Sequence, residues 1–215
     1  MDYNKFIDEL YEEFNNKQDI KYIKSDTINL SKITLETNKV DEINNVTCVF
    51  IDMENSTKMS MNNIEEAINN QMPYIRAFVR IFEEHDPKYI DIQGDGGFAL
   101  FDGDDSRKKG IYAAITINTL FNVKLNMNIR IGIDCGTVYV KKAGKRGMNK
   151  EIWIGSPVCL ASKLCNIKTN DVFNKIRMSK TIKEWFVKNI YINPTRENCL
   201  SDIDFFSTDV IWKLK

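Results

Sequence analysis

Two stretches constrain this chain more than any other part of it: VTCVFIDMENST at residues 46–57 and YIDIQGDGGFALF at residues 89–101. The first is an apolar run, the pattern of a buried strand, and it ends in Asp52 and the polar turn Glu54-Asn55-Ser56-Thr57. The second is two short apolar runs joined by Gly94-Asp95-Gly96-Gly97, which reads as a hairpin with Asp95 at its tip. A strand carrying Asp52 laid beside that hairpin brings two carboxylates to one edge of a sheet. Paired carboxylates hold a hard divalent cation, and such a cation grips phosphates. The first expectation is therefore a metal-dependent nucleotide site.

The rest of the chain supplies the frame for such an edge. Residues 2–16 place Tyr3, Phe6, Ile7, Leu10, Tyr11 and Phe14 at spacings of three and four, an amphipathic helix. Residues 17–45 are polar with scattered β-branched residues and read as an arm or edge strand, so residues 1–45 divide from a domain over 46–215. A strand over 46–52 leads to a helix over 62–84, which Pro73 is expected to kink or split. The hairpin spans 88–93 and 97–102, and DGDD at 102–105 caps a helix over 106–123. MNIRIGIDC at 127–135 is another central strand, followed by a hairpin whose tip, KKAGKRGMNK, is basic and punctuated by glycine. Ser156-Pro157 opens a helix over 156–167, residues 172–178 form a strand, and Ser179 caps a helix to about residue 188. An extended tail lies near 208–214. The order predicts an α/β fold, an α+β sandwich on a ferredoxin-like βαββαβ core with an N-terminal helical arm.

Composition narrows the function classes. Thirty basic and thirty acidic side chains cancel, so no overall field draws the chain to nucleic acid or to an anionic membrane. No apolar run approaches the roughly 20 residues that cross a bilayer, and the acidic start MDYNKFIDELYEEF is unlike a signal peptide. The five cysteines, Cys48, Cys135, Cys159, Cys165 and Cys199, lack CxxC spacing and read as free thiols. A cytoplasmic setting is expected.

IDMENST, GDGGFALF, IRIGIDCG and IGSPVCLASKL follow one another in the order and spacing of the class III nucleotidyl cyclases. Each motif alone is short, but the four in register over about residues 46–180 resemble that family. The resemblance implies that Asp52 and Asp95 are catalytic metal ligands, with the backbone carbonyl of Met53 as a further ligand, for two Mg2+ or Mn2+ ions. The turn Asn55-Ser56-Thr57 offers backbone N–H groups to phosphate, and Arg130 falls where the family places an arginine on the terminal phosphates. On the helix from Ser156 the family carries an asparagine and an arginine for the ribose and the transition state; this chain has Cys159 and Lys163 there. Lysine keeps the charge without the bidentate fork, while cysteine does not replace the amide's hydrogen bonds. The resemblance also implies a homodimer whose two sites are shared across the interface.

The positions that read the base depart furthest from the family. A lysine paired with an acidic residue or threonine selects adenine, and a glutamate paired with a cysteine selects guanine; here they fall on Asp91 and Ile152. Isoleucine makes no hydrogen bond to a base, and an ionised aspartate only accepts. A lone accepting carboxylate suits a pyrimidine better than a purine. The chain resembles most the pyrimidine cyclases of bacterial anti-phage (Pycsar) systems. That implies UTP as substrate and cyclic UMP plus pyrophosphate as products, read by a separate cyclic-nucleotide effector. Cyclic CMP from CTP and cyclic AMP from ATP are the alternatives. A catalytically silent nucleotide sensor is the rival from another class. A dinucleotide-cyclase palm lacks its GGDEF-type turn here.

Several conspicuous residues read as structural. His85, the only histidine, sits where a helix C-terminus is expected. Trp153, Trp185 and Trp212 read as packing residues. The basic tip, Lys141, Lys142, Lys145, Arg146 and Lys150, reads as solvated for the most part, with triphosphate contact as its alternative. Lys213 stands near the C-terminus, where the family carries a phosphate-binding lysine.

Overall fold

The structure is a computed structural model that describes residues 2–54, 56, 61–145, 148–167, 175–190, 196–200 and 203–213. Its centre is β2 (Lys39–Met53), flanked by β4 (Gly96–Phe101) and β5 (Ile129–Lys145), both antiparallel to it. β3 (Tyr89–Gln93) completes the hairpin with β4, and β7 (Ile176–Met178) runs parallel to β5. β9 (Ile203–Thr208) and β8 (Arg196–Leu200) extend the far edge, giving the order β3-β4-β2-β5-β7-β9-β8. β1 (Lys21–Ser25) pairs with the start of β2, and β6 (Met148–Ile154) folds back on the end of β5. The run β3-β4-β2-β5 is the strand order of a ferredoxin-like core, as the sequence predicts.

Alternation along β2 explains the two layers. Val49, Ile51 and Met53 face one side and are buried with Tyr74, Phe78 and Phe82 of α2 (Ile64–Glu84), Ile111 and Ile115 of α3 (Ser106–Ile117) and Ile182 and Phe186 of α5 (Lys180–Ile190). Val46 and Cys48 face the other side, against Phe98 and Leu100 of β4 and Ala161 of α4 (Ser156–Asn166). With a period of two, Phe50 and Asp52 fall on this second face.

Helix α4 is fastened along its length. A Cβ at Gly132 would lie 2.0 Å from the Ala161 carbonyl oxygen, so only glycine lets α4 rest on β5 this closely. The buried Arg177 donates through Nη1 to the carbonyls of Leu164, Cys165 and Ile167, satisfying the helix's C-terminal end.

Several sequence expectations change. The strand expected from residue 46 begins at Lys39, with a bulge between Ile43 and Val46 where Asn45 takes φ 54°. Pro73 does not split α2, which runs unbroken from Ile64, with Asn63 capping the N–H of Glu66. The helix expected to residue 123 stops at Ile117 and widens into a π-helical turn over Asn118–Lys124. There the Asn122 amide both donates to the Ile129 carbonyl and accepts from its N–H, tying the turn to the start of β5. The arm contains β1, and the tail forms β9 earlier than its expected extended segment. Of the strand expected over 172–178, residues 172–174 lie outside the described residues, and the described part is strand over Ile176–Met178. Helix α1 (Tyr3–Asn15), capped by Asp2, buries none of its residues.

Candidate functional site

β2 delivers Asp52 to the end of the sheet, directly across from Gly96 on β4 and Arg130 on β5. The hairpin before it turns through Gly94, at φ 62°, and Asp95. A Cβ at Gly96 would lie 2.5 Å from the Ile51 carbonyl oxygen and 3.3 Å from Asp52 Oδ1. Glycine at that position is what lets the Asp95 turn press against the Asp52 strand. The Asp52 carboxylate accepts from Arg130 Nη2, and Asp95 accepts from the hydroxyl of the buried Ser56. Glu54 stands 3.8 Å from Arg130 Nε and 3.9 Å from Lys175 Nζ. Arg130 Nε is buried without a hydrogen-bond partner. Burial pushes the Asp52 carboxyl above its ordinary value, with Arg130 opposing and the negative charges of Asp95 and Glu54 adding to the rise.

The two carboxylates fit a divalent cation by their donor chemistry: both present oxygen, one from β2 and one from the turn before β4, at an edge where Asp52 feels the charge of Asp95. Among the described residues no cluster of three acidic, histidine or cysteine side chains could hold a metal. The other donors would be backbone, phosphate and water oxygens. The Met53 side chain is buried in the core, leaving its backbone for such a role. Asn55 and Thr57 lie outside the described residues.

A second group lines a cleft of about 460 Å3 between β3, β6 and α4. Its apolar wall is Phe50 stacked on Phe98, with ring centroids 5.6 Å apart and planes 14° apart, and Trp153. Cys159, Ser162 and Ile152 face the same space. Asp91 and Gln93, two residues apart on β3, give it a polar side. Lys150 Nζ donates to Asp91 Oδ1 at 2.9 Å, and Gln93 Nε2 donates to Asp91 Oδ2 at 3.0 Å. The Asp91 carboxylate holds the Lys150 ammonium above its ordinary value, so it is charged at neutral pH.

This arrangement bears on three expectations. Asp91 is not a lone acceptor, because both of its oxygens are hydrogen-bonded. The described lysines of the basic hairpin have partners although they reach solvent: besides Lys150, Lys141 donates to the Thr37 carbonyl, and Lys142 donates to the Leu30 carbonyl at 3.0 Å and lies 3.8 Å from Glu151. The Lys145 side chain and Arg146 lie outside the described residues. Lys213 joins neither group. The neighbouring Trp212 is bonded to Thr116 and Thr119 on the α3 side.

Asp52, Asp95, Ser56 and Arg130 thus form one set, and Asp91, Ile152 and Cys159 another. Lys163 is exposed on α4 and forms no ion pair with a described residue. Lys175, Gln93 and Lys150 were missed as site neighbours, since each meets its partner across long sequence separations or from a strand read only for its aspartate. The only histidine, His85, caps α2 with its ring 3.4 Å from Thr116 Oγ1, away from both sets. Cys48 and Cys165 are buried free thiols, Cys135 is half-buried and Cys159 exposed. The Cys199 side chain lies outside the described set. No helix of the described residues is long and apolar enough to cross a membrane.

Residues 38–200 match the adenylate and guanylate cyclase catalytic domain family. A uridylate cyclase of Micromonospora echinofusca is 25% identical over 89% of this chain and 67% of its own length. A uridylate cyclase of Propioniciclava tarda is 34% identical over 41% of the chain and 34% of its length. Among solved structures, the adenylyl cyclase CyaB of P. aeruginosa superposes with a TM-score of 0.65 at 16% identity, covering 78% of this chain and 94% of that one. That likeness speaks for the fold. With the family matched from the first residues of β2 through β8, the chain belongs to the adenylate and guanylate cyclase catalytic domain family and is a nucleotidyl cyclase.

Proposed function

We propose that the chain converts UTP to 3′,5′-cyclic UMP and pyrophosphate. A cytidylate cyclase making cyclic CMP from CTP is the alternative. What supports the pyrimidine reading is the cleft, which Asp91 and Ile152 both line: by the resemblance they fall at the two base-reading positions, and neither matches the adenine- or guanine-selecting pair. The uridylate cyclases among the relatives support the same choice.

In the reaction, the ribose 3′-oxygen bonds to the α-phosphorus, the bond from that phosphorus to the bridging oxygen breaks, and pyrophosphate leaves with the electron pair. The hydroxyl proton is lost in the same process. Divalent cations held by Asp52, Asp95 and the Met53 carbonyl would acidify the hydroxyl and neutralise the triphosphate. Ser56 steadies Asp95 through its hydroxyl. Arg130 grips the terminal phosphates, and the N–H groups around Asn55, Ser56 and Thr57 receive phosphate oxygens. Lys163 places a positive charge where negative charge builds up at phosphorus. Phe50, Phe98 and Trp153 take the base between apolar walls and keep water from it.

The resemblance to the class III cyclases supports a homodimer in which each site takes the metal and phosphate residues from one protomer and the base-reading residues from the other. By the same reading the enzyme works in the bacterial cytoplasm as the second-messenger synthase of an anti-phage system, its product read by a separate effector. The resemblance to the pyrimidine cyclases supports that placement.

The test is parallel incubation with ATP, GTP, CTP and UTP plus Mg2+ or Mn2+, with products read by mass spectrometry. Cyclic UMP, with less cyclic CMP, is expected. Cyclic AMP or cyclic GMP as the main product overturns the pyrimidine reading. Tight nucleotide binding without pyrophosphate release replaces turnover with a sensor role.

A further inference from the structure

We propose that Lys150, Asp91 and Gln93 form a donor–acceptor–donor row that reads the hydrogen-bonding edge of uracil. This rests on the reading of the chain as a pyrimidine triphosphate cyclase and deepens it by naming the base and the residues that choose it.

The three side chains line the cleft beside the Phe50–Phe98 stack and are joined in sequence: Lys150 Nζ to Asp91 Oδ1 at 2.9 Å, and Gln93 Nε2 to Asp91 Oδ2 at 3.0 Å. The join fixes polarity. A carboxylate only accepts, so it turns the amide nitrogen of Gln93 towards itself. Each member also keeps capacity for a ligand. An ammonium has three N–H groups and uses one here, the amide nitrogen has two and uses one, and each carboxylate oxygen has a second lone pair. A base can therefore dock without breaking the row.

Uracil presents O4 as acceptor, N3–H as donor and O2 as acceptor, the complement of this row at all three places. Cytosine presents an amino donor and the N3 acceptor at the first two, meeting the ammonium with a donor and the carboxylate with an acceptor. Adenine makes the same two errors with N6 and N1. Guanine matches at O6 and N1–H but sets its amino group against the Gln93 N–H. A polar group that the docked base covers and leaves facing its own kind weighs more against a ligand than a missing methylene does. Ile152 on β6 adds shape and no competing polarity.

Lys150 is the informative residue to change. Its side chain is 66% exposed in the single chain, so its replacement leaves folding intact. The experiment measures kcat and KM of wild type, Lys150→Met and Lys150→Arg with UTP and with CTP, alongside thermal melts. Lys150→Met is expected to lower kcat/KM for UTP about 10- to 100-fold, chiefly through KM. The CTP value should move by less than about threefold, so the preference between the two bases collapses. Lys150→Arg should restore the preference, and all three proteins should melt together. An unchanged ratio of UTP to CTP turnover in Lys150→Met overturns the inference while leaving the pyrimidine reading in place. A wild type that prefers CTP overturns the uracil assignment in the same way. A wild type that turns over only ATP or GTP removes the pyrimidine reading itself, visibly, before any variant is made.

Discussion

Arg130 stands directly across from Asp52 on the neighbouring strand, and its guanidinium donates to that carboxylate. The contact is made by a candidate phosphate ligand to a candidate metal ligand. In the cation-free chain it neutralises a half-buried negative charge beside Asp95 and Glu54. On the proposed reading, binding of cation and triphosphate would exchange both partners, Asp52 turning to the cation and Arg130 to phosphate.

Asp52→Asn should lower turnover by roughly 10^3-fold or more, because it removes an anionic ligand while keeping the shape. Saturating Mn2+ should raise the wild-type melting temperature by about 5 °C and leave the variant unmoved, as read by differential scanning fluorimetry. The cation-free pH profile has a definite sign. Burial raises the Asp52 carboxyl above its ordinary 3.8, so the folded chain holds that proton longer than the unfolded one. The stabilisation this gives is full below 3.8 and is lost as pH rises through the folded value. Asp52→Asn should therefore gain on wild type across that window and keep the gain at neutral pH.

Asp52→Ala and Lys163→Ala chains should each be inactive alone. Mixing them after a brief unfolding and refolding step should restore about a quarter of wild-type activity, since half of the dimers are mixed and each mixed dimer has one intact site of two. Mixtures no more active than their components would remove the shared-site arrangement.

Gly132→Ala tests the seat of α4. The new methyl would lie 2.0 Å from the Ala161 carbonyl oxygen and 2.6 Å from the Cys165 nitrogen, both backbone atoms that cannot rotate away. A loss of about 2–4 kcal/mol in urea unfolding is expected. A variant as stable as wild type would mean that α4 is not packed this closely.

His85 reports on acid stability. Burial pushes its imidazole below the ordinary 6.5, so the folded chain prefers it neutral. Its contribution is full above 6.5 and is lost as pH falls through the folded value. It is the only histidine in the chain, so His85→Gln should flatten the stability profile of wild type between about pH 7 and 5. Chemical denaturation at each pH reads the difference.

The parts legible in the sequence are those written in local pattern. The apolar run at 46–52 marks a buried strand and the Gly94-Asp95 turn is a short-range signal, so Asp52 and Asp95 could be set at one sheet edge before any coordinates, while Arg130 joined them through the family resemblance. Partnerships made at long range were not legible. Lys150 reaches Asp91 across 59 positions, and nothing in KKAGKRGMNK distinguishes a lysine that folds over a cleft from one in solvent. Lys175 meets Glu54 by the pairing of β7 with β5. The π-helical turn escaped for a similar reason: Asn122 is an ordinary helical residue until Ile129 comes back to meet its amide. β8 and β9 carry little apolar alternation of their own and are strands because β7 offers them an edge.

The fastening of α4 has a bearing on how such a chain can change over generations. The grip lies underneath, at Gly132, and at one end, at Arg177, and both hold backbone atoms. Positions 159 and 163 stand one helical turn apart on this rail, and neither takes part in holding it. Mutation can therefore exchange the tools mounted there, asparagine for cysteine or arginine for lysine, while the mounting stays where it was. Lineages built on this scaffold are free to explore new chemistry at those two posts without first surviving a damaged fold.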